Sequence, residues 1–216
     1  MFCDEAVPEF SNGSVCQNCW DALAAMRVDC LRCGQQYPAG RCAECAQCRP
    51  LAYMDIARSH GRYRGGLGKI LRQYKYRADR SLAPGLARLL ESTFLRNFVA
   101  SEWTFLTGVP THPARVRVRG FDHLDLLGRL LARRIRLPFC SVLSKSMASR
   151  PQAGLSETQR RRNVRRSFVA KESLGGKRIL LLDDILTTGA TINECARILK
   201  RAGAARVGAL TVGRAE

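Results

Sequence analysis

The chain has 216 residues, 46% of them hydrophobic, and a formal net charge of +18. That length accommodates one α/β domain of about 150 residues beside a small module, and the apolar content excludes global disorder. No apolar run approaches the roughly 18 residues of a membrane span. The opening Met1-Phe2-Cys3-Asp4-Glu5 lacks the basic-then-apolar layout of a signal peptide, so a cytoplasmic protein without a transmembrane segment is expected. Charge is unevenly spread. Residues 1–50 hold six acids against four arginines, a balance of −2 that leaves +20 on the remainder. Such a surface attracts polyanions, either nucleic acid or a substrate bearing several phosphates, although charge alone names no partner.

Eight of the ten cysteines fall within the first 48 residues. Three C-x2-C pairs stand out, Cys16/Cys19, Cys30/Cys33 and Cys42/Cys45, with Cys3 and Cys48 outside them. One such turn puts two thiolates on a metal ion, and two complete a tetrahedral site. Disulfides are the rival, but they persist mainly in oxidising compartments, and three repeated pairs argue against a thioredoxin-like redox motif. Structural zinc is expected on Cys30, Cys33, Cys42 and Cys45. A second site would draw on Cys3, Cys16 and Cys19 and lacks a fourth ligand. A cysteine directly before Met1 would form another C-x2-C pair with Cys3, so the start of the gene is expected upstream. Cys48 or a side-chain oxygen is the alternative. A crossed pairing of Cys16/Cys19 with Cys42/Cys45 stays open.

The body, residues 51–216, follows as an expected second domain. Residues 52–63 alternate as a strand or hairpin, and Gly65-Gly66 mark a turn. From Leu67 a helix is expected, with Leu67, Ile70, Leu71 and Tyr74 on one face and Lys69, Arg72, Lys75, Arg77 and Arg80 on a basic one. Residues 82–98 read as a second helix and 103–109 as a strand, ending in a proline-bounded loop over 110–115. Residues 121–134 are helical, 139–143 a short strand, and 146–162 a polar mobile loop or lid. Strands are expected over 167–170, 178–182 and 206–212. Alternating strands and helices predict an α/β fold with a parallel sheet.

The stretch that organises the body is residues 179–191. Ile179-Leu180-Leu181-Leu182 reads as a strand buried on both faces. Asp183 and Asp184 end it and are expected to face a crevice at the C-terminal edge. Thr187-Thr188-Gly189-Ala190-Thr191 then opens a helix, expected to stop at Gly203. Hydroxyls, free N–H groups and the positive end of the helix dipole suit a phosphate monoester.

This run resembles the ribose-phosphate motif of the type I phosphoribosyltransferases. The resemblance implies that Asp183 and Asp184 bind the ribose hydroxyls of phosphoribosyl pyrophosphate and that Thr187, Thr188, Gly189, Ala190 and Thr191 wrap the 5-phosphate. Four further runs join it: the cysteine pairs, His112-Pro113-Ala114-Arg115, Arg119-Gly120-Phe121, and Gln152-Ala153-Gly154-Leu155-Ser156 with Arg160-Arg161-Arg162-Asn163-Val164. In that order they resemble the ComF family of competence-associated proteins along essentially the whole chain. The implied fold is a type I phosphoribosyltransferase-like parallel sheet flanked by helices, preceded by a zinc module. The implied activity is phosphoribosyl transfer with magnesium, with Asp183 and Asp184 catalytic and His112, Arg115, Lys145 and Arg160 at the pyrophosphate. Arg150 and Arg162 would join a closing lid. Single-stranded DNA, DNA-uptake proteins and a second copy as a homodimer are the expected partners. A DNA-handling protein that keeps the fold without catalysis is the alternative. The chain departs from the family pattern at Thr107-Gly108-Val109-Pro110-Thr111-His112, at Asp122-His123 in place of Asn-Gln, and at Lys145 in place of Arg. His112 and His123 each read either as a pyrophosphate contact or acid or as a hydrogen-bonded structural histidine, the latter favoured for His123, and Cys140 and Cys195 read as small core residues.

Overall fold

The computed structural model of the chain describes residues 15–37, 40–145 and 167–215. Expectations for Cys3, for the lid over 146–162 and for Arg150, Arg160 and Arg162 lie outside the described residues.

The chain enters through a short helix α1 (Gln17–Asp21), and a 3-10 helix at Ala46–Leu51 leads to strand β1 (Ile56–Arg62). Helices α2 (Gly65–Tyr76) and α3 (Ala83–Asn97) precede β2 (Phe105–Gly108), and α4 (Pro113–Arg119) and α5 (His123–Ile135) follow it. A short antiparallel ribbon joins β3 (Leu143–Lys145) to β4 (Phe168–Ala170). Then come β5 (Arg178–Leu186), α6 (Ala190–Arg201) and β6 (Arg206–Arg214). The main sheet is parallel throughout, in the order β1-β6-β5-β2.

Helix α2 follows from its sequence: Leu67, Ile70, Leu71 and Tyr74 share one face, and all are buried. Helices α3 and α5 pack on one another and on the sheet, while α6 packs on β5 and β6 and against the 3-10 helix. In β5, Ile179, Leu180, Leu181 and Leu182 are all 0% exposed, as a strand with a parallel neighbour on each side and helices over the sheet requires.

Two local expectations are corrected. The second half of the proline-bounded loop, from Pro113, is helix. Pro113 takes the first helical position, the His112 side chain caps it by accepting from the Ala114 N–H, and Gly120 at φ +79° ends it. The strand expected over 139–143 is reduced to an isolated bridge between Phe139 and Leu106, and the ladder begins only at Leu143.

The edge strand β1 is sheathed by the N-terminal residues, which removes an exposed pairing edge. Ala57 donates its N–H to the Arg32 carbonyl at 2.8 Å, and the Met26 N–H reaches the His60 carbonyl at 2.6 Å. The buried Arg58 guanidinium donates to the carbonyl of Leu31 at 2.8 Å and to Asn97 Oδ1 at 3.1 Å. His60 joins Thr93 Oγ1 to the Leu23 carbonyl, and burial holds its pKa below the usual histidine value. Trp20 of α1 packs onto Gly85 of α3 so closely that a β-carbon there would lie 2.2 Å from its ring.

Candidate functional sites

Strand β2 stops at Gly108, which pairs with Leu182, whereas β5 runs on to Leu186 while still paired with β6. The two acids therefore lie inside β5 rather than past its end, at the point where its β2 neighbour is missing. Successive strand residues point to opposite faces. Asp183, half-buried, is on the side of α6, where Cys195 and Lys145 lie close enough to feel its charge. Asp184 turns to the α2 and α5 side and is 4% exposed.

Asp184 does not face the crevice as the sequence reading expected. Its Oδ2 meets Lys75 Nζ at 2.6 Å and His123 Nε2 at 3.1 Å. Arg119 Nη1 contacts the other imidazole nitrogen, Nδ1, and Arg119 Nε donates to the Lys75 carbonyl at 2.6 Å. The Tyr74 hydroxyl donates to the His123 carbonyl at 2.6 Å. Burial opposes ionisation of Asp184, but the His123 hydrogen bond and the Lys75 ammonium outweigh it and hold the pKa well below the carboxylate range. For Asp183, burial and the charge of Asp184 push the pKa up to about 8. The pair therefore carries about one negative charge at neutral pH, as adjacent carboxylates do. The Asp184 N–H donates to Asp183 Oδ1 at 2.9 Å, so one acid orients the other.

After Leu186 the chain makes the expected small-residue loop. Thr187, Thr188 and Thr191 are exposed, and no acidic residue occupies the first turn of α6. Gly189 caps that helix at φ +76°, and a β-carbon on it would lie 2.4 Å from Leu51 Cδ2. The cysteine-rich segment thus roofs this loop: Leu51 lies on Gly189, and the Tyr53 N–H donates to Asn193 Oδ1 at 2.9 Å. At the open end of β2 a cavity of about 250 Å³ is lined by Pro110, Thr111, Phe139, Ser144 and Lys145 among others. Burial, then the charge of Arg115, lowers the Lys145 pKa. Arg115 is exposed. Of the expected site residues, Lys145 thus stands within electrostatic reach of both Asp183 and Arg115, and His112 caps α4. The sequence reading put Lys75 on a basic helix face and Arg119 in the Arg-Gly-Phe run but gave neither a role at the acids, because nothing local marks which basic side chain of a helix turns inward.

The second cluster brings together a different set of four cysteines from the one expected. The sulfur atoms of Cys30, Cys33, Cys45 and Cys48 lie within 4.8 Å of one another. Cys30–Cys48 and Cys33–Cys45 are each 3.5 Å apart, and Cys45–Cys48 3.9 Å. Four thiolates at zinc–sulfur distance would be about 3.8 Å apart, so the set fits a tetrahedral thiophilic ion. The Cys33 N–H points at Cys30 Sγ, and the Cys45 N–H at Cys48 Sγ. Burial opposes ionisation of Cys30, yet the Cys33 N–H and the Cys48 thiol outweigh it and bring the pKa to about 6. Burial pushes Cys45 up to about 11 and Cys48 up to about 12. Arg214 donates to the Cys33 carbonyl at 2.7 Å and approaches its sulfur, which places a cation beside the cluster.

Cys42 is the residue displaced from the expected quartet. It pairs with Cys30 in a β-bridge, donating to the Asp29 carbonyl and accepting from the Leu31 N–H. The 3-10 turn then folds Cys48 back, its N–H reaching the Cys45 carbonyl at 2.9 Å. Cys42-x2-Cys45 and Cys45-x2-Cys48 have the same spacing and overlap, so spacing alone does not choose between them. Cys16 and Cys19 are partly buried and outside the quartet.

A strand carrying two acids into a helix-capping Gly loop on a parallel sheet defines a phosphoribosyltransferase-like domain, and the family model of the phosphoribosyl transferase domain matches residues 126–215. The DNA utilization protein YhgH of Salmonella typhi is 31% identical over 208 residues, covering 91% of this chain and 88% of the relative. Competence protein F of Haemophilus influenzae is 27% identical, over 89% and 87%. Competence protein ComFC of Bacillus subtilis is 26% identical, over 92% and 83%. The chain belongs to the ComF family. Among solved structures, the glutamine phosphoribosylpyrophosphate amidotransferase from B. subtilis aligns with 65% of this chain and 30% of its own, at 22% identity and a TM-score of 0.46.

Proposed function

We propose that this chain binds phosphoribosyl pyrophosphate as its magnesium complex and serves DNA uptake in the cytoplasm, with the ligand site in residues 51–216 and a zinc module in residues 1–50. The observation that carries the reading is the run of β5 past the end of β2 into the N-terminus of α6. It sets acceptors for sugar hydroxyls beside donors for a phosphate. Asp183 meets the ribose hydroxyls, with Asp184 fixed behind it. Thr187, Thr188, Gly189, Ala190 and Thr191 hold the 5-phosphate. His112, Arg115 and Lys145 face the pyrophosphate, and Arg160 adds a cation to them. Magnesium would supply charge neutralisation on the leaving pyrophosphate, since it prefers phosphate oxygens and needs few protein ligands. Zinc on Cys30, Cys33, Cys45 and Cys48 is structural. The link to DNA uptake rests on the names of the relatives. Among the described residues, no helix is long and apolar enough to cross a membrane. Isothermal titration of phosphoribosyl pyrophosphate with and without Mg²⁺ tests the reading: saturable binding that needs the metal is expected, and absence of heat in its presence overturns it.

A second, compatible reading is contact with single-stranded DNA. It is supported by the exposed Lys69, Arg72, Arg77 and Arg80 with the 75% exposed Tyr76 among them, a basic surface carrying an aromatic on which a base can stack. Binding of an unstructured oligonucleotide should weaken steeply with salt. No binding at low salt removes this reading.

A further inference from the structure

The imidazole of His123 is 4% exposed and has a partner on each nitrogen. Arginine only donates, so a hydrogen bond from Arg119 Nη1 calls for a lone pair on Nδ1, against the pull of the Asp122 carboxylate 3.9 Å from the same nitrogen. The proton then sits on Nε2, and His123 donates it to Asp184 Oδ2. The ring is held from several directions. Asp122 caps α5 by accepting from the N–H groups of Leu124 and Asp125, which places His123 as the first helical residue. Tyr74 binds the His123 carbonyl and stands against its ring, with centroids 6.0 Å apart.

We propose that His123 is a positioning residue of the ribose-phosphate site, which joins the end of α4 to the acidic pair and fixes where the carboxylates point. The proposal rests on the ribose-phosphate reading given above. Arg119 is the last residue of α4, the helix that His112 and Pro113 open on the pyrophosphate side. Its guanidinium grips His123 and the Lys75 carbonyl together, so a shift of α4 is passed to both partners of Asp184. Asp184 in turn donates its N–H to Asp183 Oδ1. The chain Arg119–His123–Asp184–Asp183 therefore runs from one side of the ligand site to the other, and Lys75 balances the buried charge midway. The two acids are not equivalent: Asp184 acts through Asp183, and only Asp183 meets ligand.

The protein has three histidines, so the imidazole nitrogens are resolvable by ¹⁵N NMR and His123 is assigned by the signal lost in His123→Gln. A proton on Nε2 and a lone pair on Nδ1 are expected in the free protein, and the opposite tautomer, an even mixture or a ring protonated on both nitrogens overturns the proposal. Affinity for phosphoribosyl pyrophosphate with Mg²⁺ is then compared across variants, with melting temperature recorded for each. Glutamine offers an NH2 donor group and a carbonyl acceptor, so His123→Gln should bind within about threefold of wild type, while His123→Leu should lose about tenfold or more. Arg119→Met replaces His123→Leu if the latter does not fold, and should release the tautomer preference and weaken binding. Wild-type-like binding by His123→Leu, or by Arg119→Met in its place, overturns the proposal alone, as does a His123→Gln variant as weak as His123→Leu. No binding by the wild type overturns both this proposal and the ribose-phosphate reading.

Discussion

Residues 15–54 and the sheet they cover are held together by different means. The sheet is distributed: β5 alone buries four consecutive apolar side chains completely, and α3, α5 and α6 add their own. The N-terminal segment buries Val15, Trp20, Leu51 and Met54 and otherwise depends on the sulfur quartet and on arginines. Arg58 and Arg214 donate to its carbonyls from the body, and its own Arg32 donates to those of Leu51, Ala52 and Met54. A distributed core loses a little with each substitution, whereas a four-way joint fails at once.

The largest expected effect follows from that contrast. Metal-derived folding energy in structural zinc sites is on the order of 10 kcal/mol, so losing one ligand should unfold the segment while the sheet stays folded. Cys48→Ser should lose stoichiometric zinc and expose residues before β1 to limited proteolysis. Cys42→Ser should keep both zinc and protease resistance. Metal analysis that gives the reverse pattern would restore Cys42 to the ligand set.

The second expectation concerns a place where the sheet has a comparable joint. Removing one partner of a buried ion pair leaves the other uncompensated and costs about 3–5 kcal/mol. Asp184→Asn takes the charge from Lys75 and the strong acceptor from His123. Thermal unfolding should show a clear fall in stability as well as weaker ligand binding. A melting temperature unchanged from wild type would mean that the Lys75–Asp184 pair contributes nothing.

These two joints also mark where the sequence stopped being legible. The middle of β5 was readable because four apolar residues in a row before two acids have few other uses. The inward face of α2 was readable because Leu67, Ile70, Leu71 and Tyr74 repeat at helical spacing. The partners of Asp184 were not, because Lys75 and His123 come from α2 and α5 and meet it only in the folded chain. The Cys42/Cys48 choice was hidden by two overlapping pairs of equal spacing, and only the bridge at Cys30 and the 3-10 turn after Cys45 decide it. Helix α4 was legible and missed: Pro113 at its first position and Gly120 after its last are ordinary boundary signals.

A third expectation tests the contact between the two regions. Gly189 is in the left-handed region, and Leu51 occupies the space that a side chain would need. Gly189→Ala should cost about 1–3 kcal/mol from backbone strain and the displaced Leu51. Combined with Leu51→Ala, the steric part should be relieved, giving a coupling of about 0.5–3 kcal/mol in a double-mutant cycle. Strict additivity would mean that the N-terminal segment and the α6 loop are energetically separate.

The smallest effect belongs to Asp183, and its sign can be worked out. The folded pKa is raised to about 8, first by burial and then by the charge of Asp184. In the unfolded chain an aspartate titrates near about 3.9. Between those values the folded state holds a proton that the unfolded state has released, so this group's contribution to stability falls as pH rises through the window. Below about pH 4 both states are protonated and the penalty is absent. Asp184 runs the other way: its depressed pKa contributes stability that is lost only in strong acid. Asp183→Asn removes the titrating group but leaves Lys75, His123 and Asp184 in place. It should therefore raise the melting temperature near neutral pH by a few degrees, about 1 kcal/mol or more in a chain of this size. The gain should shrink as the pH is lowered towards 4. Because the proposed function offers Asp183 to the ligand, the same variant should bind phosphoribosyl pyrophosphate more weakly while melting higher. A variant that loses affinity and stability together would place Asp183 with Asp184 in the buried network.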